Sequence, residues 1–272
     1  MDTLWVLGDQ LNRSFAGFDG VTPDSHRILM VHSAAKAADG RRHRQRLHVV
    51  LTAMRRFASE RRAEGFDVDE RRAADLRTGV EDHLRAFGPG VVRVMEPTSW
   101  DARRLAERLG CEIVRSNQFL CHYQDFAAWA EGRKRLRNED FYRWQRGRLG
   151  YLMSGDEPEG GRWNFDAENR KPPPGHPPWP ERHPFPLDDI DRAVLDSLPP
   201  DTWGAAPRGW WPTSRDQALA RLDEFVGGVL PHFGPYQDAM LRDDWHLAHS
   251  LLSPALNLGL LTPDEVCDAV EA

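Results

Sequence analysis

Cysteine is scarce in this sequence. Of the 272 residues only Cys111, Cys121 and Cys267 are cysteine, and no two of them form a CxxC pair. An odd, unpaired set of thiols is typical of proteins from a reducing compartment. We therefore expect a cytoplasmic protein.

Long apolar runs are missing as well. No window approaches the roughly eighteen consecutive apolar residues of a membrane span. The opening MDTLWVLGDQ has neither the charged segment nor the apolar stretch of a signal peptide. We expect no membrane partner.

The net charge is −6, from 36 basic and 42 acidic residues. An acidic chain is not a general nucleic-acid-binding polycation, so only local basic patches remain candidates for nucleic-acid contacts.

Several catalytic motifs are absent from the sequence, namely GxSxG, HExxH and the Walker phosphate loop. The stretch VLGDQLN, residues 6–12, is not a GxGxxG fingerprint either, so a dinucleotide site has no support. Ligands of open α/β sheets bind beyond the carboxyl ends of strands, which makes Gly8 to Leu11 a candidate ligand loop. An ordinary strand-to-helix turn explains Gly8 and Asp9 more simply.

Short apolar runs alternate with helical patterns through residues 3–132. This alternation predicts right-handed crossovers and a doubly wound α/β domain with a five-stranded parallel sheet. The predicted strands are Leu4–Leu7, Ile28–His32, Phe66–Val68, Val91–Met95 and Glu112–Arg115. The predicted helices between them are Arg41–Glu64, Gly79–Phe87 and Trp100–Leu109.

The character of the chain changes after two more predicted helices, Gln118–Gly132 and residues 137–153. Thirteen of the twenty prolines lie between Pro158 and Pro212, which predicts an extended connection. Five tryptophans in the same span indicate that it packs on a folded surface. Helical patterns return from Thr213 or Ser214 to Leu230 and over Tyr236–Leu252. We expect an α/β domain at 1–132, a helical and proline-rich connection at 133–212, and the start of an all-helical domain at 213–272.

Two basic stretches have alternative explanations. The run RRHRQR, residues 41–46, places cations at the start of a helix, where they interact unfavourably with the helix dipole. Either an anionic or polar ligand or a solvated charged face would explain them. Residues 132–148 carry seven Lys or Arg against two acids, interleaved with Phe141, Tyr142 and Trp144. That composition fits a nucleic-acid surface, but helical spacing alone also accounts for aromatic residues that face a core.

The stretch HSLLSPALNLGLL, residues 249–261, is apolar except at its start. Ser253 followed by Pro254 is the sequence of an N-cap and a first helical residue. Capping requires only Ser253, so His249 and Ser250 are polar groups that capping leaves unexplained. Hydroxyls at a helix N-terminus are typical of phosphate sites. The following TPDE, residues 262–265, predicts a capping box.

Several stretches together resemble one family. They are WVLGDQLN (5–12), RHRQRLHVVLTAMRRFA (42–58), residues 116–153, GGRWNFDAENRKP (160–172) and residues 233–269. They are similar to the deoxyribodipyrimidine photolyase-related proteins, the bacterial cryptochrome/photolyase branch that includes the prokaryotic (6-4) photolyases. The similarity covers nearly the whole chain, in the same order.

The resemblance implies a Rossmann-like antenna domain followed by a helical FAD-binding domain, light-driven repair of a pyrimidine dimer or (6-4) lesion, damaged DNA as partner, and a monomer. A ribolumazine antenna is implied in the first domain. Its implied contacts are Gly8, Asp9, Gln10, Leu11 and Gln45. FAD is implied in the second domain, its phosphates held by the family's TSxLS loop. The implied FAD residues are Tyr236, His249, Ser250, Leu251, Leu252 and Ser253.

The sequence also departs from the family pattern. His32 and Lys36 stand where the family usually has glutamates, and Gly40 and Arg42 differ too. The three cysteines do not match the ligands of the family's 4Fe-4S cluster, so we expect no cluster in this chain. We also expect the FAD domain to be incomplete, with no catalytic residue among those present and no flavin at unit stoichiometry. The alternatives are a non-enzymatic antenna-domain fragment and a light-sensing cryptochrome without repair activity.

Overall fold

A computed structural model describes residues 1–35, 43–176 and 178–272. The chain forms two compact units. The first comprises Met1–Gln118, His183–Ala218 and Ser253–Leu261. The second comprises Phe119–Arg182, Leu219–Leu252 and Thr262–Ala272. The proline-rich span therefore contributes to both units, and the domain limits expected from the sequence stay a prediction.

The first unit is built on five parallel strands in the order β3-β2-β1-β4-β5. This confirms the predicted α/β class. The strands are β1 (Asp2–Trp5), β2 (His26–Ser33), β3 (Val68–Ala73), β4 (Val92–Met95) and β5 (Glu112–Val114). Its helices are α1 (Arg44–Ala63), α2 (Leu76–Phe87), α3 (Trp100–Arg108), α6 (Asp189–Asp196) and α9 (Ser253–Leu258), and α7 (Arg215–Glu224) begins there.

The core of the first unit lies between the sheet and its helices. Strand side chains such as Trp5, Leu29 and Val94 are buried there, and β2 accordingly has an apolar run at its centre, Ile28–Val31. Gly79 of α2 lies so close to β2 that an added Cβ would come within 2.4 Å of Val31. The absence of a side chain at Gly79 therefore sets how closely α2 approaches the sheet.

The second unit combines short helices and irregular segments with a hairpin of two very short strands, β6 (Met153–Ser154) and β7 (Glu157–Pro158). Its helices are α4 (Tyr123–Ala130), α5 (Asn138–Leu149), the end of α7, α8 (Leu230–Phe233) and α10 (Pro263–Glu271), with a π-helical turn at Phe225–Val229. Two predicted caps are present: Ser214 Oγ accepts from the Gln217 amide at 3.2 Å, and Thr262 and Glu265 form a capping box.

The helix predicted over Tyr236–Leu252 is wrong, because the structure has turns and irregular backbone there. A carboxylate oxygen of Asp244 accepts from the amides of His246 at 3.1 Å and Leu247 at 2.8 Å. Leu247 and Leu251 have φ values of 50° and 61°, which a right-handed helix cannot contain. The local side-chain bonds of Asp244 thus replace the helical ones.

Among the described residues, no helix is both long enough and apolar enough to span a membrane.

Candidate functional site

A cavity of about 360 Å³ lies at the carboxyl edge of the sheet in the first unit. The sheet order reverses between β1 and β4, and ligands of open α/β sheets bind at such a point. Residues that follow these two strands line it, together with the end of β2 and one face of α1. The lining includes Gly8, Asp9, His32, Ser33, Arg46, Val50, Met54, Thr98 and Ser99.

Gly8 and Asp9 are the members of the candidate loop that line this cavity. A Cβ on Gly8 would meet the Met54 sulfur at 3.1 Å, so glycine allows the close approach of α1. The Asp9 backbone is fixed by the Gln118 side-chain amide, which donates to its carbonyl at 2.7 Å, and Thr98 donates to the Asp9 carboxylate. These bonds go beyond what a simple turn requires.

Gln10 and Leu11 are buried and bonded within the first unit. The Gln10 amide donates to the Met95 carbonyl at 3.0 Å and to the Glu96 carbonyl at 3.3 Å, which joins the ends of β1 and β4. The Leu11 amide donates to the Leu258 carbonyl at 2.9 Å. Both residues therefore support the loop that carries Gly8 and Asp9.

Gln45 lines a second cavity of the first unit, of about 510 Å³. The two cavities share Arg46, Val50, Asn257 and Leu258 as lining residues, so they adjoin. The cation that begins α1, Arg44, donates from Nε to the Thr202 hydroxyl at 3.3 Å. Part of the basic run at 41–46 is thus explained by bonds within the unit.

Sequence reasoning missed Thr98 and Ser99 as cavity residues. Their position directly after the fourth strand could have indicated this role, since α/β proteins bind ligands there.

His32 was noted only as a departure from the family; its Nε2 lies 3.4 Å from a carboxylate oxygen of Glu70. Burial would raise the pKa of Glu70, but hydrogen bonds to His32 and Arg62 bring it below its usual value. Lys36, Gly40 and Arg42 lie outside the described residues.

The second unit contains the loop His249–Leu252, in which Leu251 adopts the left-handed conformation. A positive φ in a non-glycine residue is a strained state that marks functional sites in many proteins. The Leu252 amide donates to Ser250 Oγ at 3.4 Å. In the described part of the chain, the amides of Ser250 and Leu251 donate to no other protein group. Two successive free amides beside a left-handed residue are a feature of anion-binding backbone.

Arg182 holds this loop from within the second unit. It is only 1% exposed, and its guanidinium donates to the His249 carbonyl at 2.8 Å and to the Ser250 carbonyl at 3.3 Å. Its Nε is buried with no hydrogen-bond partner among the described residues. Burial lowers the pKa of Arg182 from its usual value, and Glu224 opposes that effect.

Tyr236 is linked to the same loop through residues 179–182. Its ring packs against Trp179 at 5.5 Å between centroids, and the Trp179 indole donates to Asp244 at 2.9 Å. Burial alone would raise the pKa of Asp244, but the Leu247 amide and the Trp179 indole bring it below its usual value. Ser253 is the next residue along the chain from the loop; it belongs to the first unit and begins α9.

The aromatic residues of the stretch at 132–148 pack against the neighbouring α4, while most of its basic residues are exposed. Phe141 and Trp144 contact Trp129 at ring distances of 5.1 and 6.0 Å, and Trp129 is buried. Arg146 is also buried and donates to the carbonyls of Tyr151 and Leu152. The arrangement favours an amphipathic helix whose aromatic residues join α4 to α5.

Comparison with known proteins places these features in a family. Residues 4–211 match the family described as deoxyribodipyrimidine photo-lyase-related protein. The chain belongs to this family. The resemblance inferred from the sequence motifs is confirmed.

Two relatives extend the comparison. The chain is 37% identical over 281 residues to a (6-4) photolyase of Agrobacterium fabrum, across 98% of this chain and 55% of the relative. It resembles the fold of a bacterial class III photolyase from Agrobacterium tumefaciens with a TM-score of 0.58 and 19% identity, across 98% of this chain and 52% of that one. The chain thus spans about half the length of the photolyases it matches.

Proposed function

We propose that the chain acts in light-driven DNA repair as part of a photolyase-type flavoprotein, with FAD as cofactor and DNA carrying a pyrimidine dimer or (6-4) lesion as substrate. The observation that carries the proposal is the loop at 249–252, where a left-handed Leu251 accompanies two free amides. The relation to a (6-4) photolyase along nearly the whole chain supports the same conclusion.

The residues of the second unit suit a diphosphate group. The amides of Ser250 and Leu251 are the donors that phosphate oxygens accept, and the buried cation Arg182 lies behind them. Tyr236 is the proposed hydroxyl donor of the same site, and His249 and Leu252 complete the loop. Ser253 is included on the family motif alone. FAD would supply the light-absorbing redox centre, while these residues bind and orient its diphosphate.

The cavity at the carboxyl edge of the sheet is the proposed site of a ribolumazine antenna. Its apolar wall, which includes Val50 and Met54, suits a flat ring system, and Asp9 and Thr98 supply polar contacts. Replacing Gly8 by leucine should fill the cavity beside Met54 and abolish ribolumazine binding, measured by the pigment's fluorescence anisotropy. Gly147→Leu, at a helix position where an added Cβ meets no atom within 4 Å, is the control.

The flavin proposal is tested by titrating the purified chain with FAD and, separately, with riboflavin, which has no phosphate. We expect FAD to bind at least about tenfold more tightly, because the free amides of the loop donate to the diphosphate. Equal affinities would contradict the proposed phosphate site.

Repair is tested on the same samples. The chain is illuminated with blue light in the presence of reduced FAD and a synthetic oligonucleotide that carries a (6-4) lesion or a cyclobutane dimer, with a dark sample as the control; loss of the lesion only in light would assign repair to this chain. If flavin and ribolumazine bind but no lesion is lost in light, the light-sensing alternative replaces repair. Ribolumazine binding without flavin binding would instead favour an antenna fragment.

A further inference from the structure

The orientation of the loop at 249–252 depends on one buried side chain. Arg182 Nη2 donates to the His249 carbonyl at 2.8 Å, and its Nη1 donates to the Ser250 carbonyl at 3.3 Å. The planar guanidinium presents its donors in a rigid fork, so two successive carbonyls are fixed on one side.

The position of the carbonyls determines the direction of the amides. In a trans peptide the C=O and the N–H point in opposite directions, and no cis peptide occurs in the described chain. The N–H partners of these two carbonyls belong to Ser250 and Leu251, the amides with no protein acceptor in the described part of the chain. Arg182 therefore turns both amides away from itself, toward the opposite side of the loop.

The conformation of the loop is unfavourable without such support. Leu251 has a φ of 61°, which is unfavourable for a residue with a Cβ. Arg182 is buried, and the residues before it are anchored too: Trp179 donates to Asp244, and Pro180 packs against Gly228 of the π-helical turn. The segment at 179–182 is a rigid support for the strained loop.

We propose that Arg182 is the positioning residue of the flavin-diphosphate site: it holds the His249 and Ser250 carbonyls so that the Ser250 and Leu251 amides are presented together to an anionic phosphate group. This inference rests on the proposed flavin function. Arg182 does not touch the phosphate itself; it acts through the backbone that it orients, and its positive charge lies on the side of the loop remote from the ligand.

The test compares Arg182→Lys with Arg146→Lys in the whole 272-residue chain. Lysine keeps the charge but cannot hold two carbonyls in the guanidinium geometry. Arg146 is a matched control, since it is a buried arginine of the same unit that donates to the neighbouring carbonyls of Tyr151 and Leu152. The probes are FAD and riboflavin, and hydrogen exchange of the bonded His249 and Leu252 amides reports the order of the loop.

We expect Arg182→Lys to weaken FAD binding about tenfold or more, to leave riboflavin binding unchanged and to speed exchange of the His249 and Leu252 amides. Arg146→Lys should change none of these three measurements. Leu251→Gly, added to Arg182→Lys, should restore part of the FAD affinity because glycine adopts a positive φ freely. If Arg182→Lys does not fold, Arg182→Gln replaces it.

Two results separate the hypotheses. If the unaltered chain prefers FAD over riboflavin and Arg182→Lys retains that preference, the role of Arg182 is wrong while the flavin site stands. If the unaltered chain shows no preference, the flavin assignment fails. Hydrogen exchange then decides by itself whether Arg182 orders the loop, and unchanged exchange in Arg182→Lys rejects that role.

Discussion

The Nε2 atom of His48 lies 3.0 Å from a carboxylate oxygen of Asp191, and both side chains are almost wholly buried. Arg56 donates to the other oxygen of Asp191 at 2.8 Å and to Asp188 at 2.7 Å. These bonds join α1 to α6, two elements far apart in sequence. A carboxylate in such a site is stable only while its partners are present.

Removal of that carboxylate should therefore destabilise the protein. We expect Asp191→Ala to lower the free energy of unfolding by about 3 to 5 kcal/mol, because it leaves the buried His48 without its acidic partner and removes one of the two carboxylates bonded to Arg56. Urea denaturation followed by circular dichroism measures the change. Asp189→Ala is the control: Asp189 pairs with Arg192 on the surface and should change stability by about 0.5 kcal/mol or less. Equal effects of the two changes would contradict the prediction.

The same pair predicts a dependence of stability on pH. Burial lowers the pKa of His48 below its usual 6.5, although Asp191 opposes the shift. In the unfolded chain His48 has its usual pKa, so below about pH 6.5 the unfolded state binds more protons and stability falls with falling pH. Unfolding measured between pH 5 and 8 should show this slope, and His48→Gln should reduce it.

A residual slope is expected in His48→Gln. Burial also lowers the pKa of His26, which contributes a slope of the same sign. The prediction about His48 is wrong if the substitution leaves the slope between pH 5 and 8 unaltered.

Two helical glycines should respond to alanine in opposite directions. Gly79→Ala places a Cβ within 2.4 Å of Val31 beside the sheet, which should lower stability by about 1 to 3 kcal/mol. Gly147→Ala in α5 meets no atom within 4 Å, and its higher helix propensity should raise stability by about 0.5 to 1 kcal/mol. Thermal unfolding of the two variants distinguishes the effect of packing from that of helix propensity. Changes of the unfolding temperature with the same sign in both variants would contradict the prediction.

The capping box of α10 gives a local prediction. Thr262→Ala removes the hydroxyl that accepts from the Glu265 amide at 3.4 Å and should reduce stability by about 1 kcal/mol. Thr262→Ser retains a capping hydroxyl and should have little effect. Helical circular dichroism and urea denaturation measure both, and an equal loss in the two variants would mean that the threonine methyl group, not the cap, is responsible.

The parallel sheet was predictable because its strands are short apolar runs separated by helical patterns, and periodicity is a local property of the sequence. All five strands are present, and the ends of four shift by at most two residues, as β1 at Asp2–Trp5 does against the predicted Leu4–Leu7. The exception is β3 at Val68–Ala73, which shares only Val68 with the predicted Phe66–Val68 because most of its residues are charged. The caps at Ser214 and Thr262 were predictable for the same reason, since a cap depends on residues within one helical turn.

The helix expected over Tyr236–Leu252 failed because side-chain bonds of Asp244 and left-handed residues at Leu247 and Leu251 decide that backbone. No pattern in the sequence predicts that a leucine will adopt a positive φ. The site residues were nominated from motifs, but motifs could not show that Gly8 and Asp9 line a cavity while Gln10 and Leu11 support it.

The sequence alone determined the α/β class and the family, because both depend on periodic burial and on short motifs of consecutive residues. Only the tertiary structure brought Arg182 to the carbonyls of His249 and Ser250, and His48 to Asp191. Such contacts depend on how distant segments pack, and the residue type alone does not show whether an arginine is buried or exposed.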